Sequence, residues 1–179
     1  MRGNIILIVF FMVLLIFSAG CGYLVRYDGP YKGRVVDADT GKPMEGAVVL
    51  GVWYKELPSP GGTVGSYFDA QETVTDKKGD FEVHGMGLQI FSNVSEMHVL
   101  IFKAGYEHIG SGPWESFKLD PMFKKKIRWE GEKAIIPLRK LTMEERRNRF
   151  GSYYVVGVPD EKQKLLLNEL KIENREIGK

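Results

Sequence analysis

The side chains of this 179-residue sequence that could ligate a metal or act as a nucleophile are few: His84, His98 and His108, the single cysteine Cys21, and Ser92 and Ser95 in one polar stretch. A zinc hydrolase of the common kind carries two histidines a helical turn apart with a glutamate between them, and no H-E-x-x-H or H-x-x-E run occurs here. A serine hydrolase needs a turn such as G-x-S-x-G to expose its hydroxyl, and neither serine stands in one. His84 and His98 fall on or next to different strands and could converge. With so little carboxylate company they read as structural histidines, and neither a metal nor a cofactor is expected.

Binding chemistry is better represented. Within residues 107–132, Trp114, Phe117, Phe123 and Trp129 are interleaved with Lys124, Lys125, Lys126 and Arg128. Aromatic faces beside N–H donors can stack a sugar or a peptide, and a lysine cluster can attract anionic headgroups. Trp114, Phe117, Trp129, Lys124, Lys125 and Lys126 are therefore the candidate ligand-binding residues. The competing reading is that the aromatics cover one end of the fold while the lysines are solvated, because long connections commonly pack their own side chains.

Composition narrows the field. Lys+Arg 25 against Asp+Glu 23 gives a net charge of +2, far from the basic excess with which a nucleic-acid binder neutralises phosphates. A solitary cysteine excludes a disulfide within the chain and leaves a Cys/His zinc site short of ligands. Cys21 must serve some other purpose.

Its neighbourhood says which. Met1-Arg2-Gly3-Asn4 is followed by an unbroken apolar run over residues 5–17, the n-region and h-region of an export signal. The run is shorter than the ~20 residues that cross a bilayer. Ser18-Ala19-Gly20-Cys21 then resembles the lipobox of bacterial lipoproteins, with Ser18 where Leu is most usual. The resemblance implies cleavage after residue 20, a diacylglycerol thioether on Cys21, and a home in the bacterial cell envelope. With Gly22 next, where Asp would be the retention signal, the pattern leans toward the outer membrane of a Gram-negative cell. Residues 21–30 read as a tether ending in the turn Asp28-Gly29-Pro30.

These candidates must be carried by a small β domain over residues 31–140. Tyr31, Gly33 and Val35 alternate as on a half-buried strand. Asp39-Thr40-Gly41-Lys42-Pro43 closes that strand, with Gly41 free to take a positive φ and Pro43 fixing the exit. Residues 46–54 are β-branched and aromatic, with Gly46 permitting a bend. Residues 57–70 read as a loop rich in Pro and Gly. The alternating stretches 72–75 and 80–83 flank Asp76-Lys77-Lys78-Gly79 and read as a hairpin with Gly79 at positive φ. Residues 97–102 and 133–138 supply further strands. Pro137 cannot donate to a ladder, so the last strand should lie at an edge or end there. Several short strands between Gly/Pro turns imply two antiparallel sheets sharing one core.

Three motifs in order, Gly33-x-Val35-x-Asp37-x-x-Thr40-Gly41-x-Pro43-x-x-Gly46-Ala47-x-Val49, Thr73-x-Thr75-Asp76-x-x-Gly79-x-Phe81 and Lys103-Ala104-Gly105-Tyr106, resemble the carboxypeptidase regulatory-like domain. That resemblance implies a seven-stranded, antiparallel Greek-key β-sandwich of the transthyretin-like kind, in which Gly33, Asp39, Thr40, Gly41, Pro43, Gly46, Gly79 and Gly105 are turn and scaffold residues. It transfers fold and not chemistry, since in metallocarboxypeptidases the module sits beside the catalytic zinc domain. Transthyretin-like sandwiches also include a purine-degradation hydrolase, but its C-terminal Tyr-Arg-Gly-Ser motif is missing here.

Residues 141–179 form a helical extension. Thr142-Met143-Glu144-Glu145 is a capping box opening a helix to about residue 150. Pro159-Asp160 opens a second, with Leu166, Leu167 and Leu170 on one side for docking on the sandwich or on a partner. Residues 171–179 are charged and expected to fray. Together these readings describe a non-catalytic, lipid-anchored envelope protein with a binding or structural accessory module. Its partners would be the membrane through its lipid and an envelope protein or glycan, with no nucleic acid.

Overall fold

The computed structural model describes residues 25–148, 155 and 157–178. The export segment, Cys21 and most of the apolar piece 153–156 therefore lie outside the described residues. Ten strands form where the resemblance implied seven: β1 (Val25–Asp28), β2 (Tyr31–Asp37), β3 (Val48–Ser59), β4 (Gly62–Val74), β5 (Asp80–Val83), β6 (Gly87–Ile90), β7 (His98–Phe102), β8 (Ile109–Pro113), β9 (Arg128–Glu130) and β10 (Lys133–Leu138). The helices are α1 (Ser116–Leu119), α2 (Pro121–Lys126), α3 (Met143–Asn148) and α4 (Lys164–Ile177).

The strands make two four-stranded sheets, ordered β5-β2-β10-β9 and β4-β3-β7-β8, and a two-stranded ribbon, β1-β6. The first sheet is mixed and not antiparallel throughout, because β10 returns from the long connection to run parallel to β2, with Ile136 opposite Val35. Pro137 lies past the last β9 partner, Ile135, so β10 meets proline where pairing on that side has already ended.

The central strands explain the layering. In β3, Val49 and Trp53 face the other sheet, while Val48, Leu50 and Val52 face the opposite way. In β7, Val99 and Ile101 point inward and Leu100 and Phe102 outward. A strand buried on both faces needs apolar residues at successive positions, as these have. The inner core joins them to Val35, Phe81, Ala134, Ile136 and Leu138 of the mixed sheet. The outer core is closed by Leu166 of α4, with Val155 and Val158.

Turn chemistry decides which sheet each strand joins. Asp37 Oδ1 accepts N–H bonds from Asp39 (3.1 Å) and Thr40 (2.8 Å) and the Thr40 hydroxyl bond (2.8 Å), and Gly41 takes φ 69°. Asp39 and Thr40 are thus in the turn as expected, but the closing carboxylate is Asp37. The hairpin expected across residues 76–79 does not form: β4 pairs with β3 and β5 with β2. Gly79 does take φ 73°, but the chain is changing sheets, guided by Thr75. That buried hydroxyl accepts from Ala47 N (2.8 Å) and donates to the Met44 carbonyl (2.6 Å). The expected loop 57–70 is a β-ribbon, with Leu57 opposite Val64 and Ser59 opposite Gly62, because its breakers concentrate at the tip. The expected tether is also partly structured, since Val25–Asp28 pairs with Gly87–Ile90.

The C-terminal extension is tied at both ends. The capping box forms, with Thr142 N donating to Glu145 Oε2 (2.9 Å) and Glu145 N to Thr142 Oγ1 (3.3 Å). At the start of α4, the Glu72 carboxylate of β4 accepts from Leu165 N (2.9 Å) and Leu166 N (2.8 Å). Residues 171–177 do not fray. Arg146 Nη2 meets Glu173 and Glu176 at 2.6 Å each, and Glu173 also accepts from Gly105 N at 2.8 Å. Glu169 accepts from Ala104 N (3.1 Å) and pairs with Lys103 (3.1 Å). Acidic side chains of the segment expected to fray, together with Glu169, therefore fasten the helix to the turn after β7 and to Arg146.

Candidate functional site

At the end of the two-sheet core next to β1 lies a cavity of about 1080 Å³. Its walls come from β1 and the start of β2, the connection 92–96, the segment Trp114–Leu119, and Trp129 with Gly131 and Glu132. The connection is held by Arg26, whose Nη2 donates to the carbonyls of Val94 and Ser95, both at 2.9 Å. Ser95 Oγ accepts from Tyr54 N (3.1 Å) and donates to the Glu96 carbonyl (2.8 Å), and Ser92 Oγ accepts from Val94 N (3.2 Å). Both serines are occupied in shaping the wall.

The floor is organised by Asp28, a buried carboxylate. Asp28 Oδ1 accepts from the Tyr31 hydroxyl (2.6 Å), and Oδ2 accepts from Trp53 Nε1 (2.8 Å) and Met86 N (2.9 Å). Arg26 lies 3.8 Å away. A carboxylate this deep is tolerated when its lone pairs are met by several donors and a nearby cation. Burial, reinforced by Asp28, pushes the Tyr31 hydroxyl well above the usual phenol range. Tyr31 is thereby kept as a neutral donor. Just behind this network, Gly29 and Gly85 cross at a backbone approach that leaves no room for a Cβ on either, since each would meet the other segment's carbonyl.

Charge is distributed around the rim. Glu56, Glu96, Glu115 and Glu132 line the cavity with Lys32 and Lys118. Burial, followed by the neighbouring Glu115 charge, pushes the Glu96 carboxyl above its ordinary value. Lys118 Nζ sits 4.6 Å from the centre of the Trp129 ring, a cation–π distance. Trp129 Nε1 is buried without a partner among the described residues. The arrangement offers donors and acceptors of both charges against an aromatic wall, which suits a polar chain such as a peptide or a glycan.

The candidate aromatics divide. Trp114 is 3% exposed and Phe117 1% exposed. Trp114 packs edge-on against Tyr31 (5.6 Å between ring centres), Phe81 (6.2 Å) and Trp129 (5.9 Å), and Phe117 rests on Phe123 (5.2 Å). This is a plug at the end of the core: Phe117 is not among the cavity-lining residues, whereas Trp114, although nearly buried, has an edge on the lining. Trp129 remains on the cavity wall. Lys124, Lys125 and Lys126 are exposed on α2, away from the cavity lining, with Lys126 3.8 Å from Glu107. The histidines stay separate: exposed His84 lies 3.5 Å from Glu82, and His98 packs edge-on against Tyr54 at 5.1 Å, where burial lowers its pKa. Among the described residues no group of three His, Cys, Asp or Glu is placed to hold a metal ion.

Sequence reasoning missed Asp28, Arg26, Trp53 and the pair Glu96 and Glu115. The one available signal was the alternation Val25-Arg26-Tyr27-Asp28, a strand pattern hidden by the Gly-Pro that follows it. Among the described residues no helix is long and apolar enough to cross a membrane. No family model, curated protein or solved structure matches this chain.

Proposed function

We propose that this protein is a lipid-anchored, non-catalytic accessory module of the bacterial cell envelope, with a carboxypeptidase regulatory-like core of transthyretin-like descent elaborated by the 107–132 insertion and the C-terminal helix. The lipid would be carried by Cys21, and the cavity beside β1 would hold a peptide or glycan of the envelope. One observation carries this reading: β1 begins four residues after Cys21 and forms a wall of the cavity, so a lipid on Cys21 would bring the anchor and the cavity together. The binding reading is supported by the commitments of the wall's other chemistry-bearing side chains. Asp28 is committed to three donors and both serines to backbone groups.

The test is to produce the full chain and its Cys21→Ser variant, measure the intact mass of each, and crosslink both in intact envelopes. Expected are a lipid-modified mass for the parent only, and one crosslinked partner that is lost on Glu115→Lys with Lys118→Glu. An unmodified Cys21 in a membrane-free protein would end the anchored reading.

A further inference from the structure

The ribbon β1-β6 is built inside out. Its burial alternates strictly, and in a soluble domain the inward positions would be apolar. Here the inward side chains are Arg26, Asp28 and Gln89, engaged with the cavity wall and the Asp28 network, with half-buried Gly87 on the same side, while the outward set is Val25, Tyr27, Leu88 and Ile90. Pairing brings the outward residues together, since Val25 lies opposite Ile90 and Tyr27 opposite Leu88. Their exposures are 61%, 70%, 58% and 55%, and Phe91, just past β6, is 80% exposed. Leu119, on another wall of the same cavity, is 75% exposed. Scattered apolar residues on a surface need no account, but an apolar face formed by pairing register is a contact surface.

We infer that this outward face of the β1-β6 ribbon is the surface that seats the protein on a lipid bilayer. The inference rests on the anchored reading above and adds to it an orientation. What names the occupant is the chain that precedes β1. The apolar run over residues 5–17 and Cys21 come directly before Val25, and four extended residues reach only about 14 Å. Whatever fixes residue 21 at the membrane holds the ribbon within that distance of it. The composition fits: a tyrosine, a phenylalanine and three branched aliphatics, with no charge on the outward positions, match the amphipathic and apolar side chains that settle at the headgroup–acyl boundary. The binding cavity would then open beside the membrane surface, facing components that lie close to it.

The test uses the full chain reconstituted in phosphatidylcholine–phosphatidylglycerol vesicles, with an environment-sensitive fluorophore on Leu88→Cys or Ile90→Cys. Lys77→Cys, in the turn at the opposite end of β5, serves as control. Intact mass reports separately whether Cys21 carries lipid, and circular dichroism shows that each variant folds; the two ribbon positions substitute for each other if one does not. Expected is blue-shifted emission at 88 and 90, quenched several-fold more by lipid-borne quenchers than at 77. A lipidated, vesicle-bound protein with water-like emission at 88 and 90 overturns the seat and leaves the anchor standing. An unmodified protein that stays off vesicles overturns both. A blue shift without lipid quenching also overturns the seat: if it depends on protein concentration, a second copy covers the face, and if not, the chain's own residues 5–17 do.

Discussion

Two apolar faces in this molecule have opposite fates. The outer face of β3, β4 and β7 is covered by α4, with Leu166 fully buried against Val48, Leu50, Val52, Leu100 and Phe102. The outward face of β1-β6 carries Val25, Tyr27, Leu88 and Ile90, all more than half exposed, with no cover among the described residues. The difference lies in what holds each element. Helix α4 is fastened by four acidic residues: Glu72 at its start, and Glu169, Glu173 and Glu176 along it, meeting backbone N–H groups, Lys103 and Arg146. Among the described residues the ribbon is fastened from its polar side, by Arg26 and Asp28. One face is part of the folded core. The other is supported from behind and held open.

The comparison can be broken most forcefully on the covered side. Arg146→Ala strands Glu173 in a buried position and should cost about 3–5 kcal/mol in chemical denaturation. Leu166→Ala should cost about 3 kcal/mol by leaving a cavity under the helix. A loss below about 1 kcal/mol in both would mean that α4 is not integral to the fold. On the supporting side of the ribbon, Trp53→Phe keeps an aromatic side chain but removes the N–H donor to Asp28 and shrinks the buried ring, and should cost at least about 1–3 kcal/mol. Its unfolding midpoint against that of the parent gives the value.

A pH dependence should follow from Glu173. Burial alone would raise its carboxyl, but hydrogen bonds from Arg146 and Gly105 outweigh burial and hold it below its ordinary value of 4.5. Its contribution is therefore present above about 4.5 and lost as pH falls through the lower folded value. Arg146→Ala should flatten that part of the acid denaturation curve. The smallest effect is expected on the open face, where Leu88→Ser should change stability in solution by less than about 0.5 kcal/mol. A large loss there would show that the face is covered within the chain.

Much of the scaffold was legible in the sequence, and for stated reasons. Gly41 and Gly79 take positive φ as expected, Gly46 bends the chain with a positive φ of its own, the Thr142–Glu145 box forms, and Leu166 and Leu170 of the expected α4 stripe pack on the outer core, because each is a local pattern with a local cause. Partnership was not legible. Alternation tells which residues of a strand share a face, but not which strand lies beside it, so residues 72–75 and 80–83 read as a hairpin when Thr75 sends them to different sheets. Residues 171–179 read as a fraying charged end because the groups that Glu173 meets, the turn at Gly105 and Arg146, are distant in sequence. The sequence left two readings of Trp114 and Phe117 open, ligand binding or packing at one end of the fold, because it shows that an aromatic is present and not what it packs on. For β1, the Gly-Pro after Asp28 hid a strand whose partner lies some 60 residues on.

The contrast between the two faces is tested most directly by hydrogen exchange on the full chain, free in detergent-depleted solution and on vesicles. Membrane seating predicts that amides of 25–28 and 87–91 gain protection on vesicles, while those of 166–177 are equally protected in both states. Unchanged exchange in the ribbon, or a gain confined to α4, would contradict the account.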